Sequence, residues 1–251
     1  MPVYKTEAII LRRRVLGEAD RVLTLFTREH GKLSVVARGV RKTTSKRSGS
    51  LEPFCHVRLL LARGRGALDV LAQVEVVAGM APLRSDLRRF GQATLAAELL
   101  EAAVPEREPH PDLFRLLSET LQGLRDAEAI PVLPWFALHL ISQAGFQPAL
   151  AHCAVGGEEI GPPASWSHPL GGLVCRRHAG RDPAAVRLRP EMVRALRALM
   201  AAGAGDLTGV TVAPRDRAPL LDILRRYAEH RLEVRLRSPG VIEQLRQPES
   251  R

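Results

Sequence analysis

Residues 4–28 read YKTEAIILRRRVLGEADRVLTLFTR, and apolar and polar side chains alternate with a period of two along both halves of this stretch. That period is typical of strands that bury one face and expose the other. Gly17 lies between the halves, at the point where a turn between two strands is expected. The stretch therefore predicts the first two strands of a β-rich module.

Three further runs rich in Val, Leu and Ile complete a set of five within the first eighty residues. The predicted strands are 4–12, 21–28, 33–40, 57–62 and 68–77. Turn signals at 30–31, 48–53 and 64–66 separate the later ones. Five short strands in a small module predict a partly open barrel of the OB type, a fold that commonly binds single-stranded nucleic acid or oligosaccharide. A generic five-stranded SH3-like barrel is the alternative.

The apolar period becomes helical after Pro82. The predicted helices are 83–101, 111–124, 132–144, 189–202 and 213–231. Residues 145–182 interrupt them with many glycines and prolines and are interpreted as a loop-rich insertion without a core of its own. The predicted fold class is α+β: an OB-type nucleic-acid-binding domain over 1–79 and a helical domain over 80–251, in which 146–182 form a zinc-knuckle-like insertion.

The charge of the chain is segregated. Residues 1–70 hold fifteen Lys or Arg against six acidic residues, which accounts for nine of the ten net positive charges. Residues 71–186 are net negative, and 187–237 carry eleven basic residues against six acidic ones. A positive segment beside a neutral or acidic one is the electrostatic signature of a protein that binds a polyanion.

Five of the seven candidate phosphate contacts of the barrel module lie in one loop. Residues 38–47 contain five cations and no acidic residue, mixed with small hydroxyl residues and glycine, so such a loop can follow a phosphate backbone without reading its sequence. A solvated surface loop is the alternative. The predicted DNA contacts of the barrel are Arg12, Arg14, Arg38, Arg41, Lys42, Lys46 and Arg47. Arg225, Arg226 and Arg231 are predicted to form a second cationic surface.

The insertion carries candidate ligands for a structural zinc ion. Cys175 and His178 have a Cys-x2-His spacing that can bind one tetrahedral ion, and Cys153 lies at the other end of the insertion. Gly156 stands where a Cys-x2-Cys partner of Cys153 would fall, so His152, His168 or a neighbouring group would supply the fourth ligand. A knuckle with free thiols and no metal is the alternative.

Motifs of several enzyme classes are missing from the sequence. It has no G-x-S-x-G, H-E-x-x-H, P-loop or dinucleotide-binding motif. The carboxylate pairs Glu98–Glu101 and Asp216–Asp222 lie on predicted helices, where solvated surface charge is the simpler interpretation. Because these motifs are missing, we expect a protein that is not an enzyme. We also expect a cytoplasmic protein, because no apolar run reaches the roughly 20 residues of a membrane span and the N-terminal charges follow the apolar run, whereas in a secretory signal they precede it. No small-molecule substrate is expected.

Taken together, the order of parts resembles the RecO family of bacterial DNA repair and recombination mediators. The matching segments are 5–11 (KTEAIIL), 17–21 (GEADR), 23–27 (LTLFT), 30–32 (HGK), 36–42 (VARGVRK) and 171–175 (GGLVC). The resemblance implies binding of single- and double-stranded DNA, association with the nucleoid and strand annealing. It also implies that the protein, together with RecR, helps RecA to replace single-strand-binding protein on DNA. Gly156 and His178 depart from the four-cysteine pattern of the family.

Two other functions remain open from the residues themselves. One is an RNA-binding OB-fold protein of translation or RNA processing, and the other is a metal-dependent nuclease. Competition between DNA and RNA distinguishes the first, because recognition of the 2′-hydroxyl would favour RNA. Degradation of the nucleic acid in the presence of Mg²⁺ would reveal the second.

Overall fold

The computed structural model describes residues 2–40, 48–64, 66–126 and 131–238. They fall into two compact units. The described residues up to Asp126, together with 237 and 238, form the first unit, and residues 131–236 form the second. The predicted basic positions Arg41, Lys42, Lys46 and Arg47 lie outside the described residues.

The first unit opens with five strands, followed by three helices. The strands are β1 (Val3–Leu16), β2 (Asp20–Thr27), β3 (Gly31–Ala37), β4 (His56–Ala62) and β5 (Leu68–Ala78). The helices are α1 (Ala81–Ser85), α2 (Leu87–Ala103) and α3 (Pro111–Asp126). All five predicted strands are present, and β1 extends four residues beyond its predicted end.

The five strands close into a barrel in the order β1-β2-β3-β5-β4. β1 pairs antiparallel with both β2 and β4, while β3 and β5 pair in parallel. Alternate apolar residues of these strands fill the interior: Ala8, Ile10, Leu23, Leu25, Leu33, Val35, Val57, Leu59, Leu61 and Leu71 are buried together. The barrel confirms the predicted OB-type fold, although it is closed and not partly open, and the helices that follow confirm the α+β class.

Helix α2 is tied to the barrel through its C-terminal end. Lys32 Nζ, at the start of β3, donates hydrogen bonds to the carbonyl oxygens of Glu101 and Val104, at 2.7 and 2.8 Å. These are among the carbonyls that a helix end leaves without intrahelical partners, and a cation there also complements the helix dipole. Gly31 precedes Lys32 with a φ of 67°, and a Cβ at this position would overlap the backbone of Glu108. The turn therefore requires glycine.

The single helix predicted over 83–101 is wrong, because the structure has two helices there. Asp86 interrupts them with extended backbone, φ −115° and ψ 120°, and its side chain accepts a hydrogen bond from the backbone N–H of Arg89. The side-chain bond satisfies one of the free N–H groups at the start of α2. Asp86 is therefore the N-cap of a new helix.

In its described residues the second unit contains three α-helices, short 3-10 and π-helical turns, and a small sheet. The helices are α4 (Val132–Ile141), α5 (Pro190–Ala201) and α6 (Pro214–Arg231). The strands β6 (Ala164–Ser167), β7 (Gly172–Cys175) and β8 (Val186–Leu188) form an antiparallel sheet with β6 in the centre. None of the helices in the described part of the chain is long and apolar enough to cross a membrane.

The insertion buries large apolar side chains in a small sheet, and it does so partly against a helix outside the insertion. Trp166 on β6 is fully buried, as are Leu173 and Val174 on β7. The ring of Trp166 packs edge-on against Tyr227 of α6, with 5.3 Å between centroids. Because the sheet uses α6 as its second layer, three strands of three or four residues are enough to bury these side chains.

Candidate metal centre and nucleic-acid interface

Cys153 lies on a tight hairpin that precedes β6. Cys153 donates its backbone N–H to the carbonyl of Glu158 at 2.8 Å, and His152 forms an antiparallel bridge with Glu159. In this register Cys153 and Glu158 are cross-strand partners, and directly opposed residues place their side chains on the same face. Gly157 lies in the turn with a φ of 74°. The hairpin therefore brings the Glu158 carboxylate to the thiol of Cys153.

Four side chains converge beside this hairpin. The Sγ atoms of Cys153 and Cys175, Nδ1 of His178 and a carboxylate oxygen of Glu158 all lie within 4.8 Å of one another. Nδ1 of His178 is 3.3 Å from Sγ of Cys153, 3.4 Å from Sγ of Cys175 and 3.4 Å from Oε1 of Glu158. The structure therefore brings three of the sequence candidates together, Cys153, Cys175 and His178, and adds Glu158, which the sequence reasoning did not single out.

The two other candidate histidines lie elsewhere. His152 is next to Cys153 on one side of the hairpin, and adjacent residues on an extended strand point to opposite faces. His168 accepts a hydrogen bond from Nε1 of Trp166 at 3.0 Å. Neither belongs to the group of four among the described residues. The alternation of side chains along a strand, together with the Gly156-Gly157 turn, is the sequence signal that could have identified Glu158.

The surroundings of Cys153 favour its thiolate. Burial opposes ionisation, but the backbone N–H groups of Cys175, Gly156 and Val155 and the side chain of His178 outweigh it and lower the pKa of Cys153 to about 7. The thiolate is the form of cysteine that binds metal ions.

The donor set fits a zinc ion. Two thiols, an imidazole and a carboxylate are ligand types that zinc accepts, in a four-coordinate arrangement. Bonds of about 2.3 Å to sulfur and about 2.05 Å to nitrogen at tetrahedral angles separate the two ligand atoms by about 3.5 Å. The sulfur–nitrogen distances of 3.3 and 3.4 Å are close to that separation.

The candidate DNA contacts of the barrel lie at the far end of β1 and just after β3. Arg12 and Arg14 stand two residues apart on β1, so they share a face, and both are exposed. Arg12 forms an ion pair of 3.0 Å with Glu101 of α2. Exposed Arg38 follows β3, and the next residue, Gly39, donates its N–H to Asp20 at the β1–β2 turn. Within the described residues, Arg14 and Arg38 form no ion pair.

The three candidate cations of α6 differ in how exposed their side chains are and in the partners they already bind. Arg225 bonds both Glu229 at 2.6 Å and Asp222 at 2.5 Å, and its side chain is only 18% exposed. Arg231 lies over the ring of Tyr227, with 5.2 Å from its Cζ to the centroid. Arg226 contacts Asp222 at 2.9 Å but is 62% exposed. Of the three, Arg226 is the side chain best placed to reach a phosphate.

The carboxylates interpreted above as solvated surface charge are partly structural. Asp216 is buried and paired with Arg189, and Glu98 accepts the backbone N–H groups of Arg237 and Ser238 at 2.7 and 2.9 Å. Burial raises the pKa of Glu101, although Arg12 and Lys32 oppose this. The prediction of simple surface charge is therefore wrong for these three residues, since each carboxylate is bonded to other groups of its own unit.

Comparison with known proteins finds two family models that together span nearly the whole chain. "Recombination protein O N terminal" matches residues 1–80, and "Recombination protein O C terminal" matches residues 84–240. A protein named DNA repair protein RecO from Pelotomaculum thermopropionicum is 36% identical over 247 residues, covering 98% of this chain and 96% of that one. Proteins of the same name from Bifidobacterium adolescentis and Cutibacterium acnes are 36% and 41% identical. The former match covers 97% of this chain and 100% of that one, and the latter 83% and 85%.

Proposed function

The chain belongs to the RecO family of DNA repair and recombination proteins, and from that premise we propose that it is a non-catalytic protein that binds single- and double-stranded DNA and anneals complementary strands. We further propose that it acts together with RecR to load RecA onto DNA, where RecA replaces single-strand-binding protein. The observation that carries the proposal is the concentration of nine net positive charges in the seventy residues that build most of an OB-type barrel.

Phosphate contacts account for the binding in this proposal. Seven cations neutralise the backbone of the nucleic acid and release its counterions: Arg12, Arg14 and Arg38, together with Arg41, Lys42, Lys46 and Arg47 of the sequence that follows. The barrel module offers few aromatic side chains for base stacking, since Tyr4 is its only tyrosine and Phe26 and Phe54 are buried. Binding is therefore independent of base sequence and strongly dependent on salt.

The acidic residues support a role without catalysis. Glu98, Glu101 and Asp216 are each engaged in bonds that hold backbone or side chains of the same unit. A pair of carboxylates that binds a catalytic metal needs oxygen atoms free to face a cleft, and each of these three carboxylates already has at least one oxygen engaged within the fold.

We assign Cys153, Cys175 and His178 to a structural zinc ion. When bound, such an ion would supply folding free energy, and once a fourth protein ligand completes the set it would have no open position for a reactive water. Cys153 precedes the sheet, while Cys175 and His178 lie at the end of β7 and just after it. Ligands so placed fasten the hairpin to the sheet.

A DNA titration at several salt concentrations tests the binding proposal. Replacing Arg41, Lys42, Lys46 and Arg47 together with Ala should reduce the slope of log K against log salt by up to about three to four, because each duplex phosphate contact contributes about 0.9. The double variant Arg115→Ala/Arg125→Ala, on α3 in the net negative segment, serves as the control and should leave the slope unchanged.

Two further arms of the titration separate the other functions. Single-stranded RNA that competes better than DNA of the same sequence would indicate the RNA-binding function. Shortening of the DNA with Mg²⁺ would indicate a nuclease. An unchanged salt slope in the fourfold variant would remove the loop from the proposed interface.

A further inference from the structure

The group of candidate metal ligands lacks the thiol that a cysteine at position 156 would supply, and another side chain occupies that space. Cys175 and His178 have a Cys-x2-His spacing, which gives two ligands from one turn. The corresponding position after Cys153 is Gly156, which has no side chain. A Cβ built on Gly156 would overlap Oε2 of Glu158 and lie 2.6 Å from Cε1 of His178. The carboxylate of Glu158 therefore occupies the space into which a side chain at 156 would project.

The two neighbouring glycines of the turn have different reasons to be glycine. Gly157 has a φ of 74°, in the left-handed region that favours glycine, and its Cβ would meet no atom within 4 Å. Gly156 does not have a positive φ, so its backbone accepts any L-residue. The atoms nearest to a Cβ at this position belong to the Glu158 carboxylate and the His178 ring, and both would overlap it.

The carboxylate is held beside the other donors by the backbone register. The backbone carbonyl of Glu158 accepts a hydrogen bond of 2.8 Å from the backbone N–H of Cys153. The side chains of these two residues therefore lie on the same face of the hairpin. Oε1 of Glu158 is 2.8 Å from Sγ of Cys175 and 3.4 Å from Nδ1 of His178. A longer Glu side chain from position 158 thus reaches the place of a shorter Cys side chain from position 156.

We propose that Glu158 is the fourth metal ligand of this chain and replaces the thiol that Gly156 lacks, so that the ligand set is two thiolates, one imidazole and one carboxylate. The inference rests on the structural zinc proposed above and adds to it a residue and a pairing. Glycine at 156 leaves room for the Glu158 carboxylate, whereas a side chain at 156 requires that carboxylate to be removed and the His178 ring to shift. A carboxylate is a harder ligand than a thiolate, so this set binds zinc less tightly than one with three thiolates.

Zinc competition against a chromophoric chelator, with the full-length chain, tests the pairing. Glu158→Gln should weaken zinc binding by about 10- to 100-fold, because the neutral amide is a poor ligand. Glu159→Gln is the matched control, since Glu159 is adjacent, equally exposed and outside the group of four. In the double variant Gly156→Cys/Glu158→Ala, the His178 ring shifts to clear the new Cβ and a third thiolate replaces the carboxylate, so zinc should bind at least as tightly as to the unaltered chain.

Cobalt substitution supplies a second readout that does not depend on DNA binding. The thiolate-to-cobalt charge-transfer absorbance should rise by about half in the double variant, from two thiolates to three, and stay unchanged in Glu158→Gln. If Glu158→Gln and Glu159→Gln bind zinc equally well, Glu158 is not a ligand, although the metal site stands. If the unaltered chain binds no zinc and gives no thiolate–cobalt band, the metal site itself is wrong.

Discussion

Asp69 shows how one buried carboxylate joins distant parts of the first unit. It is 1% exposed and accepts hydrogen bonds from the Tyr4 hydroxyl at 2.5 Å and the backbone N–H of Gly64 at 3.1 Å, while Arg107 lies 3.4 Å away. Burial disfavours the carboxylate, but these three donors outweigh burial and hold the pKa of Asp69 below its ordinary value of 3.8. Burial and the Asp69 carboxylate raise the pKa of Tyr4, so the hydroxyl remains a donor.

The sign of the Asp69 shift predicts a dependence of stability on pH. A carboxyl whose pKa is lower in the folded state stabilises the fold above its unfolded value, near 3.8, and loses this contribution as pH falls through the folded pKa. Asp69→Asn should cost about 2 kcal/mol of unfolding free energy at pH 7, and the difference from the unaltered chain should shrink below pH 4. Urea unfolding between pH 2.5 and 7 measures this. Glu75→Gln, at an exposed position on β5, is the control, and a difference that stays constant with pH would contradict the assignment.

At the scale of elements, the turn before β3 positions the end of α2. Lys32→Met retains the aliphatic part of the side chain and removes the ammonium that bonds Glu101 and Val104. Because hydrogen bonds from a charged donor contribute more than neutral ones, the variant should lose about 2 kcal/mol of unfolding free energy. Lys5→Met, at an exposed position of β1, should change stability little. Equal stability of the two variants in urea would show that the barrel and α2 do not depend on this contact.

The sequence predicts those elements whose pattern is local. Five alternating runs predict the barrel strands, since residues such as Leu23 and Leu25 face one interior. Strands β6 to β8 were missed because three or four residues are too short for a period, and Trp166 is buried by α6, which is distant in sequence. The α1–α2 break was missed because Asp86 also fits the polar face of one continuous helix. Only its extended backbone shows that it is an N-cap.

The candidate site divides in the same way. The x2 spacing identifies Cys175 and His178 because both ligands come from one turn, and Cys153 follows from the second cysteine of the insertion. The fourth position depends on which side chains share a face of the 151–160 hairpin, and that register becomes known only once the backbone bonds between 153 and 158 are seen. Alternation along a strand places Glu158, and not His152, beside Cys153.

At the scale of the whole molecule, the chain carries a strongly cationic barrel module and a second basic region over 187–237 with a net charge of +5. Two cationic regions in one protein can each hold a strand and lower the repulsion between two nucleic-acid backbones. Strand annealing would then need both regions, whereas binding of one strand would need only the first.

Substitutions on α6 test this division. The sequence suggests removing Arg225, Arg226 and Arg231 together, but Arg225 bonds Asp222 and Glu229 and Arg231 packs on Tyr227, so their loss would also disturb the helix. Arg226→Ala alone removes an exposed cation, and Arg226→Lys is its control because the charge remains. We expect Arg226→Ala to slow annealing of complementary oligonucleotides about two- to fivefold, since a single phosphate contact is lost, while single-strand affinity stays the same. An equal loss of annealing and single-strand binding, or no loss of either, would show that α6 does not hold a second strand.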